Sequence, residues 1–310
     1  MTTSFPSGIF TVLVTPFNDD NSIDYLSLHS WFEFQAKTDI SGFVLMGTTS
    51  ESPTLSRDEQ LEILKQITSL NTKLEKPKYI ILGCGGNDTF EMIEFAKKCV
   101  DLCDAFMVTV PSYNKPMQKG IYEHYKAFCT EQTLSTKPVM IYNIPSRTGI
   151  NMEVQTIIQV YKDFPNIVAI KEASGSIAQL IQLRNQAPSL KIYSGDDLLI
   201  LDFAIHGGSG VISVASNIIP EIICEIYKHT INLSNISTDK FYYLQLPNFI
   251  NSLFCETNPI PVKYLLYHMG IFINYNMRLP MTPLSSEFHE KVIDAYQITK
   301  TLFDNYNFEK

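Results

Sequence analysis

The sequence predicts a (β/α)8 TIM barrel with a C-terminal helical appendage, and three observations support this fold class. Eight short apolar runs recur over the first two-thirds of the chain, amphipathic stretches separate most of them, and 310 residues suffice for a barrel of roughly 250 residues plus an appendage. The runs are almost continuously apolar, which is typical of parallel strands covered on both faces. An open doubly wound sheet is the alternative, but the GxGxxG turn expected after its first strand is missing.

The strands are expected in the order of these apolar runs. They are predicted at 8–17, 42–47, 79–86, 105–113, 138–145, 167–174, 190–197 and 208–216. The last run follows its helical stretch closely, so we expect the final βα unit to be compressed.

The clearest helix between the strands covers residues 57–70. Its apolar positions fall on one stripe at helical spacing, formed by Leu61, Leu64 and Ile67. Ser56 and Glu59 have the spacing of a capping box that begins this helix, and Asp88 and Glu91 repeat that spacing one unit later.

The chain changes character at about residue 234. From there on it has no strand signal, but it has a group of aromatic and aliphatic residues: Phe241, Tyr242, Tyr243, Leu246 and Phe249. We therefore predict two regions, a barrel with the active site over 1–233 and a C-terminal helical region over 234–310.

The composition is globular and excludes several classes of function. Of the 310 residues 45% are apolar and 18% charged, and 24 basic against 32 acidic side chains give a net charge of -8. A nucleic-acid-binding protein would need a basic face, so that class is disfavoured. No apolar run approaches the length of about 18 residues that a membrane span needs, and the N-terminal residues lack the basic segment of a secretory signal. We expect a cytoplasmic protein.

The cysteines and histidines do not indicate a disulfide framework or a metal centre. The six cysteines are scattered along a long chain, so we expect reduced thiols packed in the core. Cys99 and Cys103 are four residues apart and are predicted to share one face of a helix. The six histidines form no HExxH pair and no cluster with cysteines, so no metal is expected.

In a barrel of this kind the active site lies at the carboxyl ends of the strands, and Lys171 is the first candidate there. It follows the apolar residues 167–170, which places its stem in the barrel mouth. Most lysines near a strand end are exposed or ion-paired, and Glu172 could neutralise this one. Adjacent strand residues point to opposite faces, however, so the two side chains are not expected to meet. Burial among apolar neighbours favours the neutral amine, which can form a Schiff base with a carbonyl.

Four further side chains at strand ends have both an ordinary and a functional interpretation. A strand tyrosine such as Tyr142 usually belongs to the core, yet a phenol near the lysine can relay the protons of Schiff-base chemistry. Thr48 and Thr49 could simply lead a strand into its loop, or their hydroxyl and backbone N–H groups could hold a carboxylate. Arg147 could be a surface charge, or its planar guanidinium could bind a substrate carboxylate.

Taken singly these signals are weak, but ordered motifs extend along nearly the whole chain. They are VTPF (14–17), GTTSE (47–51), PSYNKP (111–116), YNIPSRTG (142–149), IKEAS (170–174), SGDD (194–197), GVISVASN (210–217), TNPIPVKYLLYHMG (257–270) and RLPMTPL (278–284). At this order and spacing the sequence resembles the dihydrodipicolinate synthase and N-acetylneuraminate lyase family of lysine-dependent aldolases.

The resemblance implies a Schiff-base mechanism that needs no metal or organic cofactor. Lys171 would form the imine with C2 of pyruvate. Tyr142, Thr48 and Tyr113 would form the proton relay, with Tyr113 reaching in from a neighbouring subunit. The expected assembly is accordingly a homodimer or a homotetramer built as a dimer of dimers.

The resemblance also implies the substrate-binding residues. Thr49, with Thr48, would hold the pyruvate carboxylate, and Gly195 and Ile212 would line the pocket through their backbone carbonyls. The synthase branch of the family has an arginine after Tyr-Asn-x-Pro-Ser, where it binds the carboxylate of L-aspartate 4-semialdehyde, and Arg147 is at that position.

The arginine and the GTT motif favour condensation of pyruvate with L-aspartate 4-semialdehyde to 4-hydroxy-tetrahydrodipicolinate, in the diaminopimelate route to lysine. One alternative is another pyruvate-dependent aldolase or lyase of the same family, acting on N-acetylneuraminate or a keto-sugar acid. A second alternative, from a different class, is a catalytically idle barrel retained for binding. The presence of the lysine, tyrosine and threonine together argues against an idle pocket.

Two departures from the family pattern affect these expectations. Ser50 replaces the glycine of the usual GTTGE, and it would be strained if that position has a positive φ. Ser112 replaces the first tyrosine of the pair that precedes Asn114 in many synthases. The region that forms a lysine feedback site in sensitive members also lacks its histidines here, although Asn87 and Glu91 match. We therefore predict weak or absent inhibition by lysine.

Overall fold

The computed structural model describes residues 5–231 and 246–305. Within them, eight parallel strands form a closed barrel in chain order, with the eighth strand paired to the first. The strands are β1 Gly8–Val12, β2 Gly42–Leu45, β3 Tyr79–Cys84, β4 Ala105–Thr109, β5 Val139–Asn143, β6 Ile167–Glu172, β7 Lys191–Ser194 and β8 Gly210–Ser213. The predicted (β/α)8 fold class is confirmed.

Helices surround the barrel and continue beyond it. They are α1 Tyr25–Ala36, α2 Arg57–Asn71, α3 Thr89–Cys99, α4 Gln118–Thr130, α5 Pro145–Thr148, α6 Val154–Asp163, α7 Ile177–Gln186, α8 Ile200–Ile205, α9 Pro220–Ile231, α10 Leu246–Ser252, α11 Ile260–His268 and α12 His289–Asp304. The helix before β8 has only six residues, which agrees with the compressed last unit. None of the helices in the described ranges combines the length and apolar character that crossing a membrane requires.

Successive strand residues alternate between the barrel interior and the layer beneath the helices. In β4, for example, Met107 belongs to the interior cluster, whereas Phe106 and Val108 pack in the outer layer. In β6, Ala169 faces inward and Ile170 outward. Both faces are therefore covered, which is the physical reason for the continuous apolar runs in the sequence.

The amino end of the barrel is closed by aromatic rings. Phe5 lies with its ring centroid 6.3, 5.3 and 5.9 Å from those of Phe10, Tyr79 and Tyr193. Beside them β1 and β8 approach so closely that a Cβ on Gly210 would lie 1.8 Å from the carbonyl oxygen of Gly8. Gly210 also has a φ of 153°, so only glycine fits where the barrel closes.

Several predicted strands are longer than the observed ones, and the first differs most. It ends at Val12 instead of residue 17, because the chain leaves the barrel before Pro16, which has no N–H to donate to a ladder. Phe17 instead forms an isolated antiparallel bridge with Ile23. The glycine- and serine-containing ends of the other runs form the loops above the barrel.

The helix over 57–70 is confirmed, and its buried stripe agrees with the predicted one at Leu64 and Ile67 but not at Leu61. The residues of α2 that are buried are Gln60, Ile63, Leu64, Ile67 and Asn71, and Leu61 is only partly buried. The difference arises because polar Gln60 and Asn71 turn inward, where their amides bond to backbone carbonyls of neighbouring segments.

The predicted capping box is complete at α2, whereas at α3 only the N-cap hydrogen bonds are formed. Ser56 and Glu59 form both hydrogen bonds of the capping box of α2. Asp88 accepts hydrogen bonds from the N–H groups of Phe90 and Glu91 at the start of α3, as an N-cap should. The return bond is missing because the Glu91 carboxylate binds Arg57.

All six cysteines are free thiols, five of them buried and Cys255 partly so. Cys99 is the last residue of α3, but Cys103 lies beyond a following 3-10 turn, so the two do not share one helix as predicted. The chain turns there toward β4, and the Cys103 thiol donates a weak bond to the Cys99 carbonyl at 3.6 Å.

The C-terminal residues that the structure describes include the helices α10, α11 and α12 and pack on the barrel. Leu246 and Phe249 of α10 are buried, as the apolar pattern predicts. The proposed boundary at 233/234 and the residues Phe241, Tyr242 and Tyr243 lie outside the described ranges. Lys263 on α11 is completely buried and pairs with Glu51, which follows β2, so this region is tied to the loops above the barrel.

Candidate active site

The strand alternation places Lys171 and Tyr142 inside the barrel at its carboxyl end. They are register partners on β6 and β5, and they are 6% and 4% exposed. The Lys171 Nζ lies 4.2 Å from the centroid of the Tyr142 ring. The electron-rich face of the ring is a favourable contact for the amine in this apolar interior.

Within the described residues the Lys171 amine has no hydrogen bond or ion pair. Glu172 points to the opposite face of β6, as the sequence predicted. There its carboxylate accepts hydrogen bonds from Asn143 Nδ2 at 3.0 Å, Gln179 Nε2 at 2.8 Å and the Ser174 N–H at 2.7 Å. The lysine nitrogen therefore keeps its lone pair or protons for a ligand.

The GTTSE segment after β2 forms a short 3-10 helix, Thr48–Ser50, that no side chain caps. Left-handed residues flank this turn, since Met46 has a φ of 57° and Glu51 a φ of 54°. Such strained positions are often found at functional sites. As at the start of any helical turn, its first N–H groups have no partner within the turn and are available to a hydrogen-bond acceptor.

Ser50 is not strained, because its φ is not positive and the left-handed conformation falls on Glu51. Its hydroxyl donates to the Leu13 carbonyl at 2.8 Å, and its carbonyl accepts from the Thr15 hydroxyl at 2.7 Å. The serine therefore adds a tie between β1 and the turn that a glycine could not make.

Thr49 and Arg147 are joined through one residue of the C-terminal region, Asn258. Asn258 Nδ2 donates to Thr49 Oγ1 at 3.0 Å, and the Asn258 backbone carbonyl accepts from Arg147 Nη2 at 3.4 Å. Arg147 lies on α5, directly after β5, and is exposed, whereas Thr49 is only 2% exposed.

Gly195, directly after β7, borders the lysine, and Ile212 lies on β8 in the barrel interior. A Cβ on Gly195 would lie 3.0 Å from Lys171 Cε and 2.5 Å from Ala173 Cβ, so any side chain there would displace the lysine. Ile212 is buried in the interior cluster together with Tyr142. Two of the sequence candidates, Tyr142 and Gly195, therefore lie next to the Lys171 side chain.

Tyr113 is the candidate that the chain does not bring to the site. It follows β4 with a φ of 68°, and its side chain is 88% exposed. Phe90 on α3 and Met117, just before α4, are also exposed, by 76% and 80%. A left-handed, nonglycine residue that presents an aromatic ring to solvent is an unusual arrangement for an isolated chain.

A cavity of about 780 Å³ opens above the barrel, with Thr48, Tyr142, Arg147 and Asn258 in its wall. Lys171 is not among the described residues that line this cavity. Tyr142 connects the lysine to the cavity, because its ring contacts the Lys171 amine and also borders the cavity. No group of three or more histidine, cysteine or acidic side chains in the described part of the chain could hold a metal ion.

Residues 5–299 match the family described as "Dihydrodipicolinate synthetase family". A 4-hydroxy-tetrahydrodipicolinate synthase of Coxiella burnetii (strain RSA 493 / Nine Mile phase I) is 37% identical over 292 residues, which cover 94% of this chain and 97% of the relative. The chain belongs to the dihydrodipicolinate synthetase family.

Solved structures of the same family resemble the fold closely. The dihydrodipicolinate synthase of Cyanidioschyzon merolae, determined with lysine bound, has a TM-score of 0.90 and 35% identity and covers 96% of this chain and 99% of its own. A monomeric dihydrodipicolinate synthase variant has a TM-score of 0.88 and 30% identity, with coverages of 95% and 97%.

Arg57 and Gln60 form part of the cavity wall. Arg57 binds Glu91 through two hydrogen bonds, Nε to Oε1 at 2.8 Å and Nη2 to Oε2 at 2.5 Å. The guanidinium also lies 4.4 Å from the centroid of the Phe95 ring, and its Nη1 donates to Gln60 at 2.8 Å. Glu91 therefore already has a cationic partner within its own chain.

A buried ion pair lies behind the GTTSE turn. Lys263 Nζ binds Glu51 and also donates to the Asn276 carbonyl at 3.0 Å. Burial lowers the pKa of Lys263 to about 8, although Glu51 opposes this shift. Burial likewise raises the pKa of Glu51 against the effect of Lys263. The pair keeps the left-handed Glu51 in place.

Sequence reasoning missed Asn258 and the Glu51–Lys263 pair as parts of the site. Both Asn258 and Lys263 lie in the TNPIPVKYLLYHMG motif, which is far from any strand end. The available signal was polar residues inside an otherwise apolar, proline-rich segment. Nothing in the sequence indicated which barrel loop they would contact.

Proposed function

We propose that this protein condenses pyruvate with L-aspartate 4-semialdehyde to 4-hydroxy-tetrahydrodipicolinate, as a lyase of lysine and diaminopimelate biosynthesis. The observation that carries the proposal is the unpartnered Lys171 amine, buried against the Tyr142 ring at the carboxyl end of the barrel. The name of the Coxiella burnetii relative supports the same reaction. Family members that cleave sugar acids are the alternative.

In this proposal Lys171 is the nucleophile. Its amine adds to the C2 ketone of pyruvate, and loss of water leaves an imine between Nζ and C2. Loss of a proton from C3 then gives an enamine, whose carbon attacks the aldehyde of the second substrate. The amino group of that substrate then attacks C2 and displaces the lysine amine, which closes the ring and frees the enzyme. No metal or organic cofactor takes part, since the imine itself accepts the electrons.

Tyr142 and Thr48 move the protons of these steps. Carbinolamine dehydration needs an acid and enamine formation needs a base, and a phenol next to the lysine can serve as both. Thr48 borders the same cavity as Tyr142 and extends the relay toward the opening. Tyr113 completes the relay from a neighbouring copy of the chain.

Two anion sites hold the substrates. The Thr48–Thr49 segment binds the pyruvate carboxylate with its N–H and hydroxyl groups, and the backbone carbonyls of Gly195 and Ile212 face the bound pyruvate. Arg147, in the cavity wall, binds the carboxylate of the semialdehyde, for which its two-pronged guanidinium is suited.

The proposed assembly is a homodimer or a dimer of dimers in the cytoplasm. Exposed Tyr113, Phe90 and Met117 support a contact between copies at this edge of the barrel. The family also includes a monomeric variant, so this assembly is not a requirement of the fold.

The test is pyruvate consumption by the purified protein with aspartate semialdehyde and, separately, with a panel of sugar aldehydes. We expect turnover with the semialdehyde only. In the Arg147→Leu variant the KM for the semialdehyde should rise about tenfold or more, because a charge-assisted bond is lost, whereas borohydride trapping of pyruvate should be unchanged.

Arg147→Lys is the matched control, since it keeps the positive charge but not the two-pronged guanidinium. Its KM for the semialdehyde should lie between those of the wild type and Arg147→Leu. Turnover with a sugar aldehyde alone would contradict the substrate assignment while leaving the imine chemistry in place. Failure of borohydride to trap pyruvate on Lys171 would contradict the mechanism itself.

A further inference from the structure

Asn258 contacts both anion-binding residues of the proposed site, although it belongs to the C-terminal region. It lies between α10 and α11, is 7% exposed, and borders the cavity above the barrel. Its side chain reaches Thr49 and its backbone carbonyl reaches Arg147. Among the described residues it is the direct link between the two.

The direction of the hydrogen bond between Asn258 and Thr49 determines what the threonine can do. Asn258 Nδ2 donates to Thr49 Oγ1 at 3.0 Å, so a lone pair of the hydroxyl is occupied. Within the described ranges the hydroxyl proton of Thr49 has no acceptor. A threonine held in this way is available as a donor, which is the role that binding a carboxylate requires.

A second feature of Asn258 also points to a role beyond packing. Its Oδ1 is buried and has no hydrogen-bond partner in the described part of the chain. Buried polar atoms are rarely left unpaired, because the loss of hydration is not compensated. An apolar residue of similar size would avoid this penalty but could not donate to Thr49.

We propose that Asn258 is a positioning residue that orients the Thr49 hydroxyl as a donor to the pyruvate carboxylate and anchors Arg147 beside it. It thereby contributes to the preference for a charged α-keto acid over an uncharged ketone. This inference rests on the proposed function, in which Lys171 forms an imine with pyruvate.

The test compares borohydride trapping of pyruvate and of methyl pyruvate, which has the same ketone but no carboxylate charge. In Asn258→Asp the shape is kept, but the new carboxylate accepts the Thr49 proton and adds a negative charge. The concentration of pyruvate that gives half-maximal trapping should rise about tenfold or more. Trapping of methyl pyruvate should change by less than about threefold, a selectivity that general loss of structure would not produce.

Asn166→Asp is the matched control, because it adds the same charge at the amino end of β6, where Asn166 Nδ2 donates to the Cys129 carbonyl at 3.5 Å. It should behave like the wild type with both ketones. Both variants keep the backbone carbonyl of Asn258 that binds Arg147, so the comparison tests the contact with Thr49.

An unchanged ratio of pyruvate to methyl pyruvate trapping in Asn258→Asp would overturn the proposal. If Asn258→Asp has no cooperative melting transition, the test uses Asn258→Ala instead. In that variant the ratio of pyruvate to methyl pyruvate trapping should fall by about threefold or more, and an unchanged ratio would again overturn the proposal. Absence of trapping in the wild-type protein would overturn the proposed function and this inference with it. The two failures are therefore distinguishable.

Discussion

At the end of β6 one residue faces into the barrel and the next faces out, and this alternation separates two neighbouring charges. Lys171 enters an apolar interior and contacts Tyr142, while Glu172 is surrounded by neutral amide donors on the other face. A buried carboxylate satisfied in this way needs no cation. The lysine is consequently not neutralised by the nearest acid in the sequence.

Arg57 leads to a prediction about feedback inhibition. Its guanidinium forms a two-pronged contact with Glu91 and stacks on Phe95, so a lysine ammonium would have to displace a better-matched cation. We expect L-lysine at millimolar concentration to leave the initial rate of the wild-type enzyme unchanged. The measurement is the rate of condensation as a function of lysine concentration.

Two variants define the cause of this insensitivity. Arg57→Ala frees the Glu91 carboxylate and should increase the effect of lysine, whereas Glu94→Gln, an exposed acid on the same helix paired only with Lys97, should change nothing. Strong inhibition of the wild type at submillimolar lysine would show that the Arg57–Glu91 pair does not protect the site.

At the scale of elements, the C-terminal region holds the loops that follow β1 and β2. Arg278 donates to the carbonyls of Asn21 and Thr54 and to both carboxylate oxygens of Glu59, at 2.9 and 2.6 Å. Lys263 fixes Glu51 at the end of the GTTSE turn. The appendage therefore contributes to the geometry of the site without supplying the reactive groups.

The Arg278–Glu59 pair predicts a change in stability with pH. Hydrogen bonds from Arg278 lower the pKa of Glu59 from its usual 4.5 to about 2. The folded state thus binds this proton less readily than the unfolded state, so the stabilisation is present above pH 4.5 and is lost as the pH falls toward 2. Glu59→Gln should reduce the free energy of unfolding by about 1 kcal/mol at neutral pH.

The measurement is urea unfolding of the wild type and Glu59→Gln at several pH values. The difference between them should shrink steadily below pH 4.5, because glutamine resembles the protonated acid and still permits a capping box. Glu123→Gln, which removes an exposed pair with Lys126, is the control and should have little effect at any pH. A difference that stays constant down to pH 3 would contradict this assignment.

At the scale of the whole molecule, the barrel brings strand ends that are far apart in sequence into one cavity, but it leaves Tyr113 facing solvent. If Tyr113 serves a neighbouring copy, a site contains residues of two chains. Lys171 and Tyr142, in contrast, are register partners within one barrel. This difference can be tested by mixing inactive variants.

Coexpression of Tyr113→Phe with Lys171→Met should restore about a quarter of the wild-type activity, because half of randomly paired dimers are mixed and each has one complete site. Tyr142→Phe with Lys171→Met is the matched control and should restore none, since both residues come from one chain. Equal failure of the two mixtures would place Tyr113 within its own chain's site, and full activity of Tyr113→Phe alone would place it outside the mechanism.

Strands and barrel topology were predictable because they follow from local apolar runs and from their regular alternation with helices. The inward position of Lys171 followed from the same periodicity. The wrong predictions concern where a strand ends and which residues of a helix are buried. The first strand stops at Val12, and α2 buries Gln60 and Asn71 instead of Leu61. Burial of an amide depends on backbone carbonyls supplied by other segments, which a helical pattern does not reveal.

The sequence by itself determined the fold class, the order of the strands, and the lysine, tyrosine and threonine at their carboxyl ends, because these depend on periodicity and short motifs. Only the tertiary structure decided that Ser50 is unstrained and that Arg57 forms an ion pair with Glu91. It also decided that Asn258 forms hydrogen bonds with both Thr49 and Arg147. Each of these depends on atoms from distant segments meeting within hydrogen-bond distance, and such meetings are set by how the whole chain packs.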